Sequence, residues 1–83
     1  MRVLYFAWLR AKIGTAEEEV TLPQGVRDVA DLLAWLKARG GGYGEALKDL
    51  STVRVAVNQD YVGPEHALRD GDEVAIFPPV TGG

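Results

Sequence analysis

One stripe of side chains does most to limit the folds open to this chain. Val29, Leu32, Leu33 and Leu36 recur at the i, i+3, i+4, i+7 spacing of an amphipathic helix, and no other segment does so convincingly. Asp28 stands where an N-cap belongs, and Asp31, three residues on, makes a weaker version of the capping box. Trp35 falls at the margin of the stripe, as a lid on the core. Gly40-Gly41-Gly42 ends the helix and begins a mobile connection. One helix can cover one face of one sheet, so the remaining segments decide the fold.

Those segments alternate with a period of two. Residues 2–9 are almost continuously apolar, with Val3, Tyr5 and Ala7 on one side and Leu4, Phe6 and Trp8 on the other. Such a strand is covered on both faces, or covered on one and adhesive on the other. Arg10 to Ile13 reads as one helical turn stopped by Gly14. Glu17, Glu19 and Thr21 alternate with Glu18, Val20 and Leu22, giving a half-exposed hairpin partner for the first strand. Its three adjacent glutamates read as a solvated edge face rather than an acidic binding site. Val53, Val55 and Val57 alternate with Arg54, Ala56 and Asn58 as a third strand, followed by a turn at Asn58-Gln59-Asp60 and a brief pairing at Tyr61-Val62. Glu65 to Leu68 suggests a short turn of helix. Arg69-Asp70-Gly71-Asp72 is a tight-turn signal leading into a last strand, residues 73–77, with Val74 and Ile76 on one face and Ala75 and Phe77 on the other.

Eighty-three residues suffice for one domain. The fold class expected is α+β: a small roll, with a mixed sheet and one main helix packed across one face. The helix stripe should meet Val3, Tyr5, Val55, Val57, Val74 and Ile76. Leu4, Phe6, Ala56 and Phe77 alternate away from that core, with no helix left to cover them. They are the expected partner-binding surface.

The stock of reactive side chains is poor. There is no cysteine, hence no disulfide, thiolate zinc site or cysteine nucleophile, and His66 is the single histidine. No metal site is expected. Nine basic against twelve acidic residues give a net charge of −3, which argues against a nucleic-acid partner. Uncharged stretches fall short of a membrane span, and the N-terminus lacks a small-residue cleavage site, so a cytoplasmic domain with no membrane partner is expected. Gly42-Tyr43-Gly44 follows a helix rather than a strand and lacks the third glycine of a dinucleotide loop. Ser51 and Thr52 have no evident base. Turn chemistry accounts for Asp70, Asp72 and Glu73 better than a magnesium site does. Arg10 and Arg54 suit partner contacts rather than catalysis. If the protein takes part in chemistry, the reactive group lies outside the ordinary catalytic set.

The ending supplies a reactive group. The chain closes Phe77-Pro78-Pro79-Val80-Thr81-Gly82-Gly83. Consecutive prolines remove two backbone donors and stop sheet pairing, and the four residues beyond Pro79 can reach roughly 13–14 Å. Gly82 and Gly83 have no side chains and leave the terminal carboxyl unhindered. Such a flexible tail, residues 78–83, can thread a channel and deliver its carboxyl carbon to another protein's active site.

The opening Val3-Leu4-Tyr5-Phe6-Ala7 with Arg10 and Gly14, the segment Ala56-Val57-Asn58-Gln59, and the ending from Asp70 to Gly83 together resemble the small subunits of molybdopterin synthase. These are sulfur carriers with the ubiquitin-like β-grasp fold, and the resemblance covers the whole chain. It implies that the Gly83 carboxylate is adenylated by a ubiquitin-activating-like adenylyltransferase, which uses ATP and magnesium, and is then converted to a thiocarboxylate. The carrier itself binds no cofactor. In the large synthase subunit the thiocarboxylate gives its sulfur to cyclic pyranopterin monophosphate, and two transfers build the dithiolene of molybdopterin. Pro78, Pro79, Val80, Thr81 and Gly82 would line the channel, in a heterotetramer of two small and two large subunits. The same terminal chemistry leaves other readings open: a sulfur carrier for thiamine or tRNA thiolation, or a protein modifier conjugated through Gly83. A purely structural β-grasp module is a third.

Overall fold

The computed structural model describes residues 1–79; the expected tail residues Val80, Thr81, Gly82 and Gly83 lie outside the described residues. Its strands β1 (Arg2–Tyr5), β2 (Glu17–Glu19), β3 (Arg54–Val57), β4 (Asp60–Val62) and β5 (Glu73–Phe77) form one sheet in the order β2-β1-β5-β3-β4. Strands β1 and β5 run parallel and the other neighbours antiparallel, so the sheet is mixed, as the periodicity requires. Parallel pairing of Tyr5 with Ile76 brings the ends of β1 and β5 to the same edge, where the Phe6 N–H donates to the Ile76 carbonyl at 3.1 Å. The chain beyond β5 therefore leaves the domain beside Phe6.

Helix α2 (Val29–Ala38) lies across one face. The Asp28 side chain caps it, accepting from the Asp31 N–H at 2.8 Å, an interaction worth about 1 kcal/mol. Asp31 answers by accepting from the N–H of Arg27 at 3.1 Å, one residue before the cap. Val29, Leu32, Leu33 and Leu36 are buried in a single cluster with Val3, Tyr5, Val55, Val57, Val74 and Ile76. The core expected from alternation is the core observed. Trp35 packs against it from the margin.

Three local expectations are overturned. Strand β1 stops at Tyr5, and helix α1 (Ala7–Ile13) follows at once, ending at Gly14. Ala7 makes the switch in the left-handed region, at φ 56°, and Leu9 becomes fully buried instead of continuing a strand. The second correction concerns the triple glycine, which opens helix α3 (Gly41–Ala46) rather than a structureless connection. A Cβ on Gly42 would sit 2.0 Å from the Lys12 carbonyl oxygen, so the missing side chain lets α3 press onto the backbone of α1. Ala46 and Leu47 then enter the core. Finally, residues 65–68 form no helix. Ala67 bridges Asp28, and the Leu68 N–H donates to the Arg27 carbonyl at 3.0 Å, which anchors Leu68 in the core.

Candidate functional site

The sheet face opposite α2 is built from one lateral row. Register places Glu17, Leu4, Ala75, Ala56 and Tyr61 side by side across all five strands. Two residues beyond Ala75, Phe77 lies near enough for its ring to meet that of Tyr61 at 5.5 Å between centroids, tilted by 41°. Phe6 and Tyr61 stand 46% and 80% exposed, which is unusual for side chains of this size. Together with Ala56, Ala75, Gln59, Phe77 and Pro78 they line a shallow, open groove.

Of the four expected patch residues, Phe6 is exposed, and Leu4 and Phe77 are half-buried. Ala56 is only 6% exposed, so it acts as the floor of the groove rather than as a protruding contact. Tyr61 is the most exposed large side chain of the face and was missed by the sequence reading. Its alternation with Ala56 across the turn was the available signal. None of the side chains lining the groove is ionisable apart from the Tyr61 phenol. The arrangement suits docking, and the chain leaves it at Pro78 and Pro79, both half-buried.

The other singled-out residues do not gather here. Arg54 turns its guanidinium back onto the carbonyls of Ser51 and Val53, each at 3.0 Å, so it is engaged within its own loop. Arg10 is exposed on α1, and His66 is exposed in its loop. The Asp72 carboxylate accepts from the Arg69 N–H at 2.9 Å and from Asn58 Nδ2 at 3.0 Å, and Asp70 accepts from the Leu22 N–H at 3.0 Å. Asp72 closes its turn, as the spacing suggested, whereas Asp70 ties that turn to the distant Leu22 backbone. Among the described residues no group of three His, Cys, Asp or Glu side chains could hold a metal ion, and no helix is long and apolar enough to cross a membrane.

A separate polar cluster braces the covered side. Glu18 pairs with Val3 and faces the core. Its carboxylate accepts from the hydroxyls of Tyr5 at 2.8 Å and Tyr43 at 2.5 Å, and from Arg39 Nη1 at 3.0 Å. The Arg39 guanidinium lies 4.3 Å from the Tyr43 ring centroid and 5.2 Å from that of Trp35. Desolvation pushes the Glu18 carboxyl upward, but hydrogen bonds from Tyr43, Arg39 and Tyr5 outweigh it and hold the group below its ordinary value. Burial, and then the Glu18 carboxylate, push the Tyr5 phenol far up. The cluster ties β2, β1, α2 and α3 together. Every Glu18 oxygen is engaged inside the chain, which makes this a structural clasp and not a binding site.

A family model described as the ThiS family matches residues 3–83. The molybdopterin synthase sulfur carrier subunit of Escherichia coli (strain K12) is 42% identical over 83 residues, covering 100% of this chain and 99% of that protein. A Pyrococcus furiosus protein solved as a candidate molybdopterin converting factor subunit 1 shares the fold with a TM-score of 0.75 and 41% identity, over 95% of each chain. Small archaeal modifier protein 1 from Methanosarcina acetivorans follows at TM-score 0.74 and 30% identity, over 99% of this chain and 94% of that one. The mixed sheet crossed by α2 is the ubiquitin-like β-grasp roll. The chain belongs to the ThiS family, alongside the molybdopterin synthase sulfur carrier subunits.

Proposed function

We propose that the protein is the sulfur carrier subunit of a molybdopterin synthase, acting through the carboxyl of Gly83. The observation that carries this reading is the full-length match to sulfur carrier subunits at 42% identity, on a chain whose last two residues are glycine. The chemistry fits the composition. A free carboxylate is a poor electrophile; joining it to AMP with release of pyrophosphate creates a leaving group. A sulfur donor then displaces AMP and leaves a thiocarboxylate, whose sulfur is nucleophilic without any cysteine on the carrier. The activating adenylyltransferase supplies ATP and magnesium, and the large synthase subunit supplies the site where sulfur passes to cyclic pyranopterin monophosphate. The carrier contributes two things: a slender tail (Pro78 to Gly82) of set length, and the apolar face around Phe77, Phe6, Leu4 and Ala56 on which each partner docks in turn. Two small and two large subunits complete the assembly, in the cytoplasm.

Incubation with the activating enzyme, ATP, magnesium and a sulfur source tests the reading. The intact mass should rise by the exchange of one oxygen for sulfur, and the product should convert the pterin precursor when the large subunit is added. An unchanged mass would remove the carrier assignment. The likeness to small archaeal modifier protein 1 favours a second reading, conjugation of Gly83 to lysines of other proteins. Blotting cell extracts for higher-mass adducts of this chain separates the two.

A further inference from the structure

We propose that Gln59 is a recognition residue, held against its backbone preference so that its amide can bind a main-chain segment of the large subunit lying along the open-face groove. The inference rests on the sulfur-carrier reading above, and it begins with the two-residue turn joining β3 to β4. Asn58 and Gln59 both have positive φ, 51° and 73°. This is the turn that favours asparagine first and glycine second. Asn58 is accounted for within the chain: its Oδ1 accepts from the Glu73 N–H at 3.0 Å and its Nδ2 donates to Asp72 at 3.0 Å. Gln59 is not. It occupies a left-handed position that glycine takes without strain. Its amide makes no hydrogen bond to any described residue, and its side chain lines the groove beside Ala56, Tyr61 and Phe77.

Strain with no return among the described residues points to a use outside the domain. The groove is otherwise apolar apart from the Tyr61 hydroxyl, so Gln59 adds a paired donor and acceptor to an apolar surface. That pairing matches the C=O and N–H of a peptide group. The occupant follows from where the chain leaves the domain. Pro78 lines this same groove, and the tail that leaves there reaches at most roughly 13–14 Å beyond Pro79. A partner that takes the Gly83 carboxyl into its active site is thereby brought next to the groove.

The test measures thermal melting of the isolated carrier and its Kd for the large subunit by titration calorimetry, for Gln59→Gly, Gln59→Ala and Tyr61→Asp. Gln59→Gly relieves the strain and should melt about 2–6 °C higher while binding roughly three- to tenfold more weakly. Gln59→Ala keeps the strain and loses the amide, so its melting should hold while its Kd rises as in the glycine variant. A merely structural turn residue would not separate stability from affinity in this way. Parent-like binding by Gln59→Ala overturns the proposal, provided that Tyr61→Asp, altered at an exposed side chain, abolishes binding. A glycine variant that melts no higher overturns its premise of strain. Parent-like binding by Tyr61→Asp shows instead that the open face is not the docking surface and overturns the proposal, while the sulfur-carrier reading stands or falls separately on the mass gain at Gly83.

Discussion

The hydroxyl of Tyr5, on the interior strand β1, donates to the carboxylate of Glu18 on the neighbouring edge strand at 2.8 Å. Glu18 stands in a run of three glutamates, yet its neighbours Glu17 and Glu19 are exposed while it serves the interior. Replacing it with glutamine weakens three hydrogen bonds by removing their charge, and Glu18→Gln should cost about 1–2 kcal/mol at neutral pH. The folded-state pKa lies below the unfolded value, near 4.5, so this contribution is present above that pH and is lost as pH falls through the folded value. Urea melts at pH 7 and at pH 3 should show the gap between parent and variant closing in acid. A gap that stays constant would show that the Glu18 charge does not matter to the clasp.

Gly42 makes the sharpest steric prediction. Because a Cβ there meets the Lys12 carbonyl oxygen at 2.0 Å, Gly42→Ala must push α3 away from α1. A loss of at least ~2 kcal/mol is expected. The same substitution at Gly44, where the nearest atom is 3.5 Å away, should be nearly neutral or slightly stabilising because alanine is the better helix former. Denaturant midpoints of the two variants compared side by side are the measurement.

On the open face, Phe77→Asp places a charge in the middle of the aromatic pair with Tyr61. Complex formation with the large subunit should vanish on gel filtration while the circular dichroism of the isolated domain stays that of the parent. Loss of the folded spectrum would assign Phe77 to the core.

Deleting Gly83 leaves a carboxylate on Gly82 and changes only its position. The carboxyl is withdrawn by ~3.3–3.6 Å, and a displacement of even ~1 Å at a reacting centre can cost 10²-fold in rate. Thiocarboxylate formation, followed by mass, should fall by at least that factor, with the melting temperature and the affinity for the large subunit little changed. A normal rate in the shortened chain would show that the position of the terminal carboxyl does not limit the reaction.

Helix α2 and the faces of the strands were legible in the sequence because both rest on short-range periodicity. The stripe from Val29 to Leu36 can bury itself in only one orientation, and Val55, Val57, Val74 and Ile76 must then face it. The same alternation marked Leu4, Phe6 and Phe77 as the uncovered side. Asp28 and Asp72 were readable too, since each accepts from a backbone N–H three residues away.

What the tertiary structure alone decided has longer reach. Residues 2–9 form a continuous apolar run, and such a run has no period that separates strand from helix. The chain turns at Phe6–Ala7, with Ala7 at φ 56°, and buries Leu9 from a helix, a switch that no local period announces. Gly40-Gly41-Gly42 has the composition of a break, but close contact with α1 rewards the absence of a side chain at Gly42 enough to hold a helix there. The clasp of Tyr5, Glu18, Arg39 and Tyr43 joins residues up to 38 positions apart, 43 minus 5, and no local pattern foretells a meeting made by packing edge strand, interior strand and two helices together.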